Sequence, residues 1–333
     1  MGVEALLDRL TLERYLITDA PDLGVRAVRD IARFPNGLSS LSCRVDVDTE
    51  TGPATWVLRA EPDFGVIPPY DIAAEAALVA KVGAAGLPVA PVVHVEPHEA
   101  AFGRRFALFG YVDGFAYHSG DPRLEADPVE RDTVARRFVE TLARVHQVED
   151  HGLVGYPDGR SSALAFVAVC RQRLADTEVL PRPLLRHALD VLERRAPACE
   201  RLVLLHGDYR LPNLKWRDGE IVGILDWELA RIGDPAADVA FTQTVGAGPC
   251  AVEGALLDHY RDLTGFEIDD FRIAYYQLFE LLKSCVIGMA GARDLLEGGS
   301  DLRLLSVAGL GATAEPIVSL LETVLDRCEV MTP

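Results

Sequence analysis

Asp208 and Asn213 stand five positions apart in LLHGDYRLPNLKW, and Asp226 closes the apolar run IVGILD that follows. Leu211-Pro212 lies between the first two. Proline fixes its own backbone and lacks an N–H, so this stretch reads as a loop rather than a helix, turning both side chains towards one point. A turn at RDGE carries the chain from Trp216 back to Ile221, which returns Asp226 towards Asn213. By its apolar content ILDW is then the buried member of a hairpin, either with LVLLHGD or with LKW. Two carboxylates and one amide oxygen converge. These are hard oxygen ligands, suited to Mg²⁺, which binds through one or two carboxylates and completes its shell with waters and substrate phosphates. A metal-dependent hydrolase could use the same set, but histidine ligands are then expected, and only His206 is near, on the strand side of the loop.

The elements that must hold these residues change character along the chain. The first hundred residues read as strands around one helix. RFPNGLSSLSCRVDVD is a turn followed by alternating Leu41, Cys43, Val45 and Val47, TGPATWVLRA is a turn and a β-rich run, and FALFGYVDG is a buried strand ending on a turn. Asp71 caps the helical segment DIAAEAALVAKVGAAG, which stops at Gly86 before Pro88. From Pro128 onwards the periodicity is mainly helical, in VERDTVARRFVETLARVHQV, PLLRHALDVLERRAP, FRIAYYQLFELLKSCVIGMAGARDLL and AEPIVSLLETVLDRC. The expected fold is α+β. A small N-terminal lobe, residues 1–113, carries an antiparallel sheet and one helix, and a larger, mainly helical C-terminal lobe, residues 114–333, carries the loop described above.

A chain of 333 residues with 49% hydrophobic content can bury two such cores. Its formal charge of −18 argues against nucleic acid and anionic membranes as partners. No apolar run reaches the length of a membrane span, and MGVEALLDRLTLERYL is acidic and amphipathic rather than a signal peptide. The six cysteines are scattered without metal-ligand spacing, so reduced thiols and a cytoplasmic setting are the expectation.

The spacing His-x-Asp-x-x-x-x-Asn followed by a strand-end Asp resembles the catalytic and metal-binding segments of the kinase-like fold. HGDYRLPN, ILDWE and GDPAAD together resemble the aminoglycoside phosphotransferase and choline kinase family. The likeness is greatest to the branch of kinase-like domains attached to some acyl-CoA dehydrogenases, for which HGDYRL, LDWEL and VLRAEP are typical, and it runs from about Arg33 to Asp238. That resemblance implies a protein-kinase-like architecture that uses ATP and Mg²⁺ to phosphorylate the hydroxyl of a small molecule. It makes Asp208 the catalytic carboxylate that takes the acceptor's proton, Asn213 and Asp226 the holders of Mg²⁺, and His206 a brace for the loop. Asn36, Gly37, Ser39 and Ser40 of FPNGLSS fall where the family has a small-residue turn over the phosphates, although the stretch is not GxGxxG and by itself reads as a plain turn. Arg59 takes the place of the family's phosphate-holding lysine, with Glu75 as its ion-pair partner. Phe109, Gly110 and Tyr111 are where the resemblance brings backbone groups to the adenine edge.

Several readings stay open. Tyr209 and Arg210 follow Asp208 directly. Arg210 facing the acceptor favours a substrate with an anionic group, whereas Arg210 paired with Asp234 or Asp238 says nothing about substrate. Asp234 and Asp238 themselves read as loop braces and helix caps, and Glu228 as either a carboxylate near the metal or a charged cap. The acceptor is a metabolic alcohol or hydroxyacyl thioester on the resemblance to HGDYRL and LDWEL. The alternatives are an aminoglycoside-type antibiotic and a catalytically silent nucleotide-binding scaffold.

Overall fold

The computed structural model describes residues 8–34, 41–61, 70–99, 101–178, 181–244, 247–297 and 315–331. The chain divides into two compact units, Met1–Asp113 and Gly114–Pro333. The architecture is the expected α+β one, with an antiparallel sheet in the first unit and mainly helices in the second.

Five strands build the N-terminal sheet: β1 (Val25–Arg33), β2 (Leu41–Thr49), β3 (Gly52–Ala60), β4 (Val92–Glu96) and β5 (Phe106–Gly110). They lie in the order β1-β2-β3-β5-β4, every pair antiparallel. The alternation read in β2 is the burial pattern found, with Leu41, Cys43, Val45 and Val47 inside, because a strand points successive side chains to opposite faces. Helix α2 (Ile72–Ala84) begins at Asp71, whose Oδ1 accepts from the N–H groups of Ala73 and Ala74 at 3.1 and 3.0 Å. Such a cap satisfies donors that the first turn leaves unpaired.

A further helix, α1 (Arg9–Thr18), joins the one expected in this unit. It buries Leu12, Tyr15 and Leu16. Its outer residues reach the edge strand: Arg9 Nη1 donates to the Val28 carbonyl and Glu13 Oε2 accepts from the Val28 N–H, both at 2.8 Å.

In the C-terminal unit α3 (Pro122–Ala126) and α4 (Pro128–His146) are followed by α5 (Gly159–Thr177) and α6 (Pro183–Arg195). Two small antiparallel ribbons come next. One pairs β6 (Val203–Leu205) with β9 (Arg231–Gly233), and the other pairs β7 (Leu214–Arg217) with β8 (Glu220–Ile224). Of the two hairpins open to ILDW, the structure therefore has the one with LKW. Helices α7 (Ala236–Thr244), α8 (Ala255–Thr264), α9 (Asp270–Leu296) and α10 (Glu315–Val330) complete the unit. Helix α9 is buried almost all round, with Phe271, Tyr275, Leu278, Leu282 and Val286 inside. Among the described residues no helix is long and apolar enough to cross a membrane.

Candidate active site

Strand β6 ends at Leu205, and the chain then leaves regular structure at His206-Gly207-Asp208. Gly207 has φ +81°, and a Cβ there would stand 2.3 Å from the Leu229 carbonyl oxygen. Only glycine fits both demands. A single 3-10 turn over Leu211–Asn213 follows, with Pro212 in its first positions, and Asn213 closes it by donating its N–H to the Arg210 carbonyl at 3.0 Å. The loop inferred from Leu211-Pro212 is thus a compact turn. It brings the Asn213 Nδ2 to 2.7 Å from Asp208 Oδ2 and to 2.9 Å from the Asp208 carbonyl oxygen.

Asp226 follows β8 with φ +68°, a left-handed conformation uncommon outside glycine and one that a surrounding structure must enforce. Three contacts enforce it. The Leu225 N–H donates to the Asn213 carbonyl at 2.8 Å, His206 Nε2 bonds the Leu225 carbonyl at 3.0 Å, and Trp227 Nε1 donates to the Ile224 carbonyl at 3.1 Å. Burial keeps the fully enclosed His206 ring below its ordinary pKa, hence neutral. A neutral ring with its proton on Nε2 donates to Leu225 and accepts the Asp208 N–H on Nδ1, 3.2 Å away. His206 therefore ties the Asp208 loop to the Asp226 turn.

Behind the loop, the buried Asp238 carboxylate accepts the N–H groups of His206 and Gly207 at 2.7 and 2.9 Å and stands 3.1 Å from His146 Nε2. Burial raises the Asp238 pKa, but the His146 contact and the neighbouring cations outweigh it and hold the group at about 2. Asp234 caps α7 through the Ala236 N–H at 2.8 Å and forms an ion pair with Arg272. Both aspartates are braces and caps.

Arg210 donates Nε to Asp208 Oδ2 at 3.1 Å. Its pairing with Asp234 or Asp238 is overturned, since those carboxylates are occupied by Arg272 and His146. Among the described residues the Arg210 terminal nitrogens have no hydrogen-bond partner, and the side chain is 38% exposed. Tyr209, expected beside the acceptor, is corrected by its burial. It has no exposed surface, its hydroxyl donates to the Phe138 carbonyl at 2.9 Å, and its ring packs on Phe138. Successive residues of this extended stretch point opposite ways, so Arg210 faces out where Tyr209 faces the core.

The Asp208 carboxyl is pushed by burial up to about 6, with Arg210 and Lys283 pulling it down and Asp226 adding to the rise. The negative charge of Asp226 that adds to the rise at Asp208 is charge that a bound cation would neutralise. Oxygen donors from Asp226 and the Asn213 amide, with no sulfur or imidazole ligand among them, fit Mg²⁺. Among the described residues no group of three or more His, Cys, Asp and Glu forms a protein-only cage, and a site completed by phosphates requires none.

In the N-terminal unit Arg59 on β3 and Glu75 on α2 form the expected ion pair, Nη1 to Oε1 at 2.6 Å. The Gly110 and Tyr111 N–H groups donate within the unit, to Pro91 at 2.8 Å and Thr55 at 3.2 Å. Both N–H groups are thus engaged inside the unit. Gly110 is explained by packing, because a Cβ there would meet the Pro91 side chain at 2.6 Å. Phe109 is buried in β5. Asn36, Gly37, Ser39 and Ser40 lie outside the described residues.

Residues 30–271 match the model of the phosphotransferase enzyme family. The chain belongs to this family. The match extends past the Arg33–Asp238 span seen in the motifs, through α8 and into α9. The chain is 29% identical over 194 residues to mouse (Mus musculus) acyl-CoA dehydrogenase family member 10, a match covering 56% of this chain and 18% of that protein. It spans less than a third of the length of the first curated relatives it matches. A crystal structure from Ralstonia eutropha, assigned to the aminoglycoside phosphotransferases, superposes with a TM-score of 0.72 at 20% identity over 96% of this chain and 98% of that one. Aminoglycoside phosphotransferase APH(4)-Ia, solved with ADP and hygromycin B, gives 0.60 at 18% identity over 97% and 100%. At those identities the structural likeness speaks for the fold.

One residue of this loop's network had no sequence motif to mark it. Lys283 of α9 places Nζ 3.4 Å from the Gly207 carbonyl oxygen. Its only sequence signal is compositional: Glu280 and Lys283 are the sole charged residues between Arg272 and Arg293.

Proposed function

We propose that the protein is an ATP-dependent phosphotransferase that moves the γ-phosphoryl group to the hydroxyl of a small molecule. The observation that carries this reading is the saturation of one Asp208 oxygen. Oδ2 accepts from Asn213 Nδ2 and Arg210 Nε, which leaves Oδ1 to accept the acceptor's hydroxyl proton. Phosphoryl transfer passes through a loose transition state, so orientation and charge neutralisation carry most of the catalysis. Asp208 orients the hydroxyl and takes its proton at Oδ1. Asn213 and Asp226 would hold Mg²⁺. When bound, that ion neutralises charge on the phosphate oxygens. Arg59, fixed by Glu75, is the N-terminal unit's phosphate contact.

The outward face of Arg210 supports an acceptor with an anionic group. A guanidinium beside the reacting oxygen attracts a carboxylate or phosphate and repels a polycation. A metabolic alcohol or hydroxyacyl thioester meets that demand, and the similarity to acyl-CoA dehydrogenase family member 10 agrees with it. The second reading, an antibiotic acceptor, is favoured by the likeness to APH(4)-Ia bound to hygromycin B.

The test is ADP release from ATP and Mg²⁺ against a panel of anionic alcohols, hydroxyacyl thioesters and aminoglycosides. Asp208→Ala is expected to lower kcat by about 10²–10⁴-fold while calorimetry shows the nucleotide still bound. Undiminished turnover in that variant sinks the assignment, and turnover confined to aminoglycosides selects the second reading.

A further inference from the structure

Helix α9 carries a buried ion pair where apolar side chains would have served. Lys283 is 3% exposed and Glu280 is 1% exposed. The two pair at i and i+3, and the ammonium lies 4.9 Å from the centre of the Phe241 ring. Removing two charges from water costs about as much as their attraction returns, so such a pair contributes little to stability, and apolar residues of similar volume commonly replace it without loss. Stability alone therefore does not account for it.

What the pair touches suggests another role. The Gly207 carbonyl, 3.4 Å from Lys283 Nζ, belongs to the same peptide unit as the Asp208 N–H. That N–H donates to His206 Nδ1 at 3.2 Å. The two preceding N–H groups, of His206 and Gly207, are held by Asp238. The Gly207–Asp208 peptide is thus gripped on its hydrogen by His206 and on its oxygen by Lys283. Gly207, at φ +81° and without a Cβ, does little by itself to resist rotation of this peptide. The carboxylate of Asp208 turns with it.

We propose that Lys283 is a positioning residue: its ammonium, held by Glu280, fixes the plane of the Gly207–Asp208 peptide from beneath the loop and so aims the Asp208 carboxylate. The proposal rests on Asp208 acting as the acceptor-orienting group. Lys283 touches no substrate and acts through the loop.

The test is the double variant Glu280→Leu/Lys283→Met, which removes both charges and keeps α9 apolar and filled. Its melting temperature is expected to stay near that of the parent. Amide hydrogen exchange at Asp208 and Tyr209 is expected to rise about tenfold while amides of α5 and α9 keep their protection. With ATP and Mg²⁺, and water as the acceptor, ADP release is expected to fall about tenfold to a hundredfold in kcat at unchanged nucleotide KM, the signature of lost orientation. Lys283→Arg, which retains the cation, is expected to recover most of the loop's protection. Parental exchange at Asp208 and Tyr209 overturns the proposal, as does a rise in exchange spread evenly over the helical unit. Asp208→Ala run alongside separates the two ideas. If it keeps turning over, the reading of Asp208 fails. If it is inactive while the double variant has a protected loop and full kcat, the Lys283 proposal alone fails.

Discussion

The two units hold their candidate residues by different means. In the C-terminal unit Asp208 sits on a loop fixed from behind by a buried polar network of Asp238, His146, His206 and Lys283. In the N-terminal unit Arg59 pairs directly with the Glu75 carboxylate of α2, in a unit whose core is aliphatic and aromatic side chains. On the proposed roles, the difference follows from what each group would do. A carboxylate that orients a hydroxyl needs fixed direction, and direction requires several contacts on the backbone that carries it. A cation that holds a phosphate needs charge within reach, and its long stem tolerates latitude in angle.

Breaking the buried network behind Asp208 has the largest expected effect. Asp238→Ala strands the N–H groups of His206 and Gly207 together with His146 in the interior, and urea unfolding is expected to show a loss of about 3–5 kcal/mol. The N-terminal ion pair loses less. Arg59→Met is expected to weaken nucleotide binding by about 1.5–3 kcal/mol, the worth of a charged hydrogen bond, in calorimetric titration. Stability of the C-terminal unit should remain unchanged.

Acid sharpens the contrast. The Asp238 pKa is held at about 2 in the folded chain, below the ordinary carboxylate value of about 3.9 of an unfolded one. A depressed folded pKa contributes stability that is complete above the unfolded value and disappears as pH falls through the folded one. Between about pH 4 and pH 2 the urea midpoint is expected to drop by an amount equivalent to about 2 kcal/mol from this group alone, and that share should be absent in Asp238→Asn. Tyr209→Phe is the smallest change. It loses one buried hydrogen bond to the Phe138 carbonyl, about 1 kcal/mol, and leaves kcat intact if the ring is only a core anchor.

The sequence carried the local part of this site well. Asp208, Asn213 and Asp226 lie within one loop and one hairpin, so proline, glycine and turn chemistry suffice to bring them together. Asp71 as a cap and the alternation of β2 are equally local. What escaped depends on distant partners. Tyr209 turned inward because α4 offers Phe138, more than seventy positions earlier, and Lys283 reaches Gly207 from a comparable distance in the other direction. The partners of the Gly110 and Tyr111 N–H groups, Pro91 and Thr55, likewise depend on strand order, which the sequence does not show. The side that Arg210 faces was open in the sequence because it turns on which cations claim Asp234 and Asp238.

Arg9 and Glu13 present to Val28 a donor and an acceptor one helical turn apart, the same pair of groups that a neighbouring strand would offer. Strand β1 is one of the two outer strands in the order β1-β2-β3-β5-β4, and an open outer strand is a template on which other chains can add. The two side chains occupy that template at its irregular midpoint, where the pairing with β2 shifts register. Helix α1 therefore does more than bury Leu12 and Leu16: at Val28 it takes up the donor and acceptor to which a second chain would otherwise pair along this edge.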